Sequence, residues 1–362
     1  MTPAGATAAM HAAAAQAAGR GPASTTREDR CRLDDDRCAR VPERLQCGGR
    51  PFPPPLRRAP TGSGHAMRKR TPSSARARAN ATWNDTMESI SWNTPSVRDA
   101  LAAVKRDAPF VYGLTNYVAA NLSANVLLAV GAAPAIGAAA DWPARFGAGA
   151  NALWINTAAL MSSGADTLLT AARAASKAGT RWVLDPVALG AGAPEYDAIV
   201  RDLLALRPTV IRGNASELIA LAGGTAAGKG VDTTASPESA LAFIGDLARR
   251  SGAVVAVSGP TDYVTDGVAT LAVAGGDARL TRVTGAGCAL GALIAALLAQ
   301  RGAALAAASA AHAIYATAAE RAADARGTAS FAVRFVDELS LLDPAESSRD
   351  RSAGQIGAKR RE

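Results

Sequence analysis

The sequence predicts an α/β protein whose largely parallel central sheet is flanked by helices. Short strand-like runs alternate with longer Ala/Leu-rich helical runs, which implies βαβ crossovers. The strand runs are continuously apolar rather than alternating, as expected where helices cover both faces of a sheet. Each of these runs also closes on a polar residue, and that regularity carries the functional reading.

In chain order, residues 1–86 come first and read as a disordered extension. They are rich in Ala, Pro, Gly, Ser and Arg, include PFPPPLRRAP and RKRTPSSARARAN, and show no sustained apolar period. They hold fifteen Lys/Arg and seven Asp/Glu and so carry the whole net charge of +8, leaving the rest of the chain with 24 of each sign. No basic face for nucleic acid is therefore implied beyond residue 86. The segment fits a basic tether, a targeting peptide, or an untranslated stretch ahead of a start at Met87; its seven acids argue against transit and secretory signals. Cys31, Cys38 and Cys47 fall here at spacings that match no common zinc pattern.

Residues 87–343 read as one catalytic-sized α/β domain, and residues 344–362 as a polar tail. Its strand runs are ALWIN at 152–156, RWVLDP at 181–186, TVIRGN at 209–214 and AVVAVSG at 253–259. They end on Asn156, on Asp185, on Arg212 with Asn214, and on Ser258. In open α/β sheets the ligand crevice lies beyond the carboxyl ends of the strands, so these side chains are expected to converge. Tyr263 to Gly276 reads as a hairpin-like pair around Asp266–Gly267.

The segment VTGAGCALGALIAALLAQ, Val283 to Gln300, combines a glycine turn with an apolar helix. A helix start offers unpaired N–H groups and the positive end of the dipole to an anion. Cys288 stands at that start, where the dipole is expected to lower a thiol's pKa. The longest apolar stretch, around Ala289 to Ala299, is too short to span a bilayer. Cys288 is the sole cysteine after residue 86, which excludes a disulfide scaffold there and suits a reducing, cytoplasmic setting. His312, the sole histidine of the same region, lies in an Ala-rich helix and reads as a packed, satisfied residue, which leaves no basis for a His-centred triad.

Other nucleotide and hydrolase motifs fail on physical grounds. GGTAAGKG, Gly223 to Gly230, approaches a Walker A loop, but Gly230 stands where a hydroxyl must reach magnesium, and the loop follows a helical run. No G-x-G-x-x-G follows a strand, and there is no G-x-S-x-G elbow. Phosphoryl transfer is left ahead.

Taken together and in order, LTNYVAANLSANVLLAVGAAP, WINTAAL, VLDPVALGAG, IRGNASELIALAG, GVDTT, VVAVSGPTDYVTDG and VTGAGCALGALIAA resemble the hydroxyethylthiazole kinase family of the ribokinase-like fold, over about residues 90–335. The resemblance implies a three-layer sandwich that phosphorylates the hydroxyl of 4-methyl-5-(2-hydroxyethyl)thiazole with ATP, in thiamine salvage. It implies that Gly285, Ala286, Gly287 and Cys288 form the anion hole, with Cys288 as base where related sugar kinases carry an Asp. Asp185 and Glu217 are implied on the magnesium side, Arg212, Ser258 and Asn214 toward ATP, and Asn116, Gly285 and Ile136 toward the thiazole alcohol. Ile136 stands where the family commonly has a Met, which keeps an apolar wall but loses a sulfur. A homotrimer with sites at subunit contacts is likewise implied, with neither nucleic acid nor membrane as partner. Two rivals share the fold: a pyrimidine kinase of thiamine synthesis, and an ATP- or ADP-dependent NAD(P)H-hydrate dehydratase, whose glycine turn is expected to carry Asp in place of Cys288.

Overall fold

The computed structural model describes residues 87–224 and 235–346. The first half runs β1 (Glu88–Ser89), α1 (Pro95–Asp107), β2 (Phe110–Leu114), α2 (Tyr117–Ala129), β3 (Ala133–Ile136), α3 (Trp142–Gly149), β4 (Ala152–Asn156), α4 (Ala165–Ala178) and β5 (Arg181–Asp185). The second half runs α5 (Pro194–Ala205), β6 (Val210–Asn214), α6 (Ala215–Leu221), α7 (Pro237–Ser251), β7 (Val254–Ser258), β8 (Thr261–Thr265), β9 (Thr270–Ala274), α8 (Ala286–Leu298), α9 (Ala304–Arg321) and α10 (Thr328–Leu341).

One nine-stranded sheet has the order β1-β9-β8-β7-β6-β5-β4-β2-β3. Every pairing is parallel except β7 with β8 and β8 with β9, so the expected hairpin is the antiparallel interruption of an otherwise parallel sheet. Gly267, at φ +89°, lets the chain reverse there, and the Asp266 carboxylate accepts the N–H groups of Val268 and Ala269.

Successive residues of a strand face opposite sides, and the continuously apolar strands feed three core clusters. Trp154, Val183 and Val210 pack into the layer of α1, α2, α8, α9 and α10. Leu153, Ile155, Trp182 and Leu184 pack against α4 and the aromatic ring of Phe146 on α3. Ile211, Val255 and Val257 pack against α6 and α7. This is the three-layer arrangement that the sequence predicts, and it brings the carboxyl ends of β4 to β7 side by side.

Candidate active site

The strand-end residues meet in a continuous ladder. Register pairs Asn156 with Asp185 and Asn214 with Ser258. Asn156 Nδ2 donates to Asp185 Oδ2 at 3.1 Å, and Arg212 Nη2 donates to Ser258 Oγ at 3.0 Å. Arg212 Nη1 lies 3.5 Å from both Asp185 oxygens, a loose contact for an ion pair. Its Nε is buried without a partner, so the guanidinium retains donors for an incoming oxyanion.

Glu217 is held by its own helix start. Asn214 caps α6, its Oδ1 accepting the Glu217 N–H at 3.0 Å, while Glu217 Oε2 accepts the Asn214 N–H at 2.8 Å. Glu217 Oε1 accepts the Ala188 N–H at 2.8 Å. Asn214, expected toward ATP, therefore has its carbonyl oxygen committed to a cap.

Both carboxylates are strongly perturbed. Burial pushes Asp185 up to about 6, against the pull of Arg212 and Asn156. Burial and then Asp185 push Glu217 up to about 7, against the N–H groups of Asn214 and Ala188. Arg212 is held above its ordinary value: burial opposes its charge, but Asp185, Glu217, Cys288 and Asp262 outweigh that cost. Among the described residues no cluster of three or more His, Cys, Asp and Glu side chains could enclose a metal. Two adjacent oxygen donors whose ionisation is opposed chiefly by burial suit magnesium, which keeps several waters and takes one or two protein carboxylates.

Facing the ladder is the start of α8. Gly285 caps it at φ +83°, and a Cβ there would come within 3.1 Å of Ala119 Cα in the first turn of α2. The Ala286 N–H is committed to the Val283 carbonyl at 3.1 Å, whereas those of Gly287 and Cys288 meet no backbone acceptor among the described residues. The anion hole expected from Gly285 to Cys288 thus loses the Ala286 N–H, while that of Gly285 likewise meets no backbone acceptor among the described residues. A Cβ on Gly287 would lie 3.4 Å from both Nη1 and Nη2 of Arg212, and one on Gly291 would lie 2.6 Å from Trp154 Nε1 and 3.3 Å from Asp185 Oδ2. Glycine at these two positions, one helical turn apart, lets α8 lie against the charged strand ends.

Cys288 is half-buried as a free thiol. The expectation of a lowered pKa is not met. Burial, with Asp185 second, pushes the thiol up to about 12, and Arg212 and Asn156 only partly offset them. The helix-start argument considered the dipole but not desolvation beside a carboxylate.

At the other end of the crevice, Asn116 caps α2, its Oδ1 accepting the Ala119 N–H at 2.8 Å, and its Nδ2 lies 3.6 Å from Met161 Sδ. Ile136 ends β3, half-buried against the core. Met161 was missed in the sequence because it follows β4 in a short 3-10 turn, Thr157–Met161, that carries no periodic signal.

His312 is fully buried, but only half of the expected satisfaction is found. Its Nδ1 pairs with Asp262 Oδ2 at 2.6 Å, and its Nε2 has no partner. Lys229 and Gly230 of the Walker-like segment, and GVDTT, lie outside the described residues.

Residues 101–345 match the model of the hydroxyethylthiazole kinase family. The chain is 99% identical over 276 residues to hydroxyethylthiazole kinase of Burkholderia pseudomallei (strain 1710b), which spans 76% of this chain and 100% of that protein. It is 44% identical over 252 residues to hydroxyethylthiazole kinase of Leptospira interrogans serogroup Icterohaemorrhagiae serovar Lai (strain 56601), spanning 69% of this chain and 95% of that one. Among solved structures it resembles the hydroxyethylthiazole kinase protein from Pyrococcus horikoshii OT3, with a TM-score of 0.61 and 33% identity over 68% of this chain and 93% of that one.

Proposed function

This chain belongs to the hydroxyethylthiazole kinase family, and we propose that its strand-end crevice transfers the γ-phosphoryl group of ATP to the hydroxyl of 4-methyl-5-(2-hydroxyethyl)thiazole, in thiamine salvage. The observation that carries this reading is the Arg212 fork opposite the bare Gly287 at the start of α8. A guanidinium and helix-start N–H groups aimed into one space stabilise charge on a phosphoryl group as it moves.

Asp185 and Glu217 would hold magnesium, which, when bound, neutralises phosphate charge. Arg212, Ser258 and Asn214 would bind on the ATP side, Asn214 also holding Glu217 in place through its Oδ1 cap. The N–H groups of Gly287 and Cys288 would complete the oxyanion contacts, and Gly285 and Asn116 Nδ2 would face the substrate alcohol. Ile136 and Met161 would wall the thiazole, Met161 restoring a sulfur from a different element.

Cys288 would take the hydroxyl proton. A loose phosphoryl transition state asks for little ionisation of the attacking oxygen beforehand. Burial is the largest cause of the thiol's high pKa and Asp185 the second, so neutralising that carboxylate on loading removes the second cause and leaves the Arg212 cation to oppose the first.

Residues 87–343 would suffice for catalysis, with 1–86 and 344–362 dispensable. The homotrimer fits the exposed Tyr117 and Met161, 72% and 66% accessible, at the substrate end. A cytoplasmic location fits a free thiol beside the chemistry. No helix among the described residues is long and apolar enough to cross a membrane. ADP formation that requires the thiazole alcohol tests the activity. A panel including the pyrimidine alcohol and hydrated NADH distinguishes it from the two activities that share the fold.

A further inference from the structure

We infer that His312 is a positioning residue for the ATP side of the site, acting through Asp262 on the turn that carries Ser258. The inference rests on the reading of Ser258 as an ATP contact. Asp262 uses both oxygens: Oδ1 accepts the Gly259 N–H at 2.7 Å, and Oδ2 pairs with His312 Nδ1 at 2.6 Å. Gly259 directly follows Ser258, whose hydroxyl receives Arg212 Nη2. The β7–β8 turn is thereby tied by its backbone to a side chain in the third turn of α9, and the tie is buried at its His312 end.

The same helix reaches the other half of the site. Tyr315, three residues after His312 and so on the same face, donates its hydroxyl to the Ala286 carbonyl at 2.6 Å. Helix α9 therefore holds the Ser258 turn with one polar side chain and the anion turn with another. Burying this polar pair costs desolvation, and core packing alone would be better served by an apolar residue at 312. Control of the Ser258–Arg212 geometry accounts for its presence.

The test is steady-state kinetics of the full chain with each substrate varied separately. His312→Leu and Asp262→Ala should each raise the KM for ATP by about tenfold, the loss expected for a hydrogen bond to a charged group, and leave the KM for the thiazole alcohol within about twofold. His312→Asn, which can still donate from the Nδ1 position, should recover most of the ATP affinity. The double variant should be no worse than either single one, because both break one tie. Asp262 is at the edge of the core, its side chain 18% accessible, so Asp262→Ala reports even if His312→Leu does not fold. Equal losses for both substrates, unchanged ATP affinity in folded Asp262→Ala, or additive losses would overturn the inference. Ser258→Ala separates the two readings. If it leaves the KM for ATP unchanged, the ATP role of Ser258 fails; if it raises that KM while Asp262→Ala does not, only the His312 inference fails.

Discussion

The guanidinium of Arg212 faces the bare α-carbon of Gly287, and a Cβ at that position would lie 3.4 Å from both of its terminal nitrogens. That separation is ordinary contact, so alanine fits the empty fold, but it takes up space that an oxyanion needs. Gly287→Ala is expected to keep or raise thermal stability, since alanine favours a helix by up to about 1 kcal/mol over glycine. It is also expected to lower kcat/KM for ATP by about tenfold or more, a loss of the size that one misplaced oxyanion contact produces. Calorimetry beside kinetics checks the split.

Gly291 makes the opposite prediction about stability. A Cβ there would come within 2.6 Å of Trp154 Nε1 in a fully buried ring, which cannot move aside cheaply. Gly291→Ala is expected to destabilise the fold by about 1–3 kcal/mol through overpacking, outweighing its helix propensity. Chemical denaturation with an unchanged m-value would support this.

Asp185 and Glu217 set the pH dependence. With folded-state pKa values of about 6 and about 7, both lie above their unfolded values. Between the unfolded and folded values the native chain holds protons that the unfolded chain has released, so metal-free stability falls as pH rises through that window. The melting temperature in EDTA should therefore drop from pH 5 to pH 8, and added magnesium should raise it more at pH 8 than at pH 5.5. The rate should climb over the same range, with its rising limb moving to lower pH as magnesium increases. A magnesium-induced rise in melting temperature that is the same at both pH values would contradict the assignment of these two carboxylates.

For Cys288, removal of the sulfur should separate chemistry from binding. Cys288→Ala is expected to reduce kcat by about 10²–10⁴-fold, the range of a lost proton acceptor, with the KM for ATP changed by less than about threefold. Because burial keeps the thiol protonated, alkylation of the free protein at pH 7 should be slow. Rapid modification would contradict the raised pKa.

Strands β4 to β7 were legible in the sequence because each is a continuous apolar run closed by a polar side chain, and that pattern placed Asn156, Asp185, Arg212 and Ser258 at one edge. Strands β2 and β3 did not stand out: neither FVYGL nor APAI closes on a polar residue, and APAI has only four residues with Pro among them. The two-residue β1 exists only through its pairing with β9. In the site, the glycine turn was readable, but the commitment of the Ala286 N–H to Val283 depends on the path of the chain before the helix. The tie from His312 to Asp262 spans 50 residues and leaves no local pattern. The high pKa of the Cys288 thiol arises from burial beside Asp185, a neighbour at the end of β5 that spacing along the chain cannot reveal.

The central claim is tested most directly by following the label from γ-labelled ATP with the thiazole alcohol and magnesium. The label should appear in a phosphomonoester of the hydroxyethyl group, with one ADP formed per ester and none without magnesium. Folded, ATP-binding protein that leaves the alcohol unlabelled, or that releases the label only as inorganic phosphate, would contradict it.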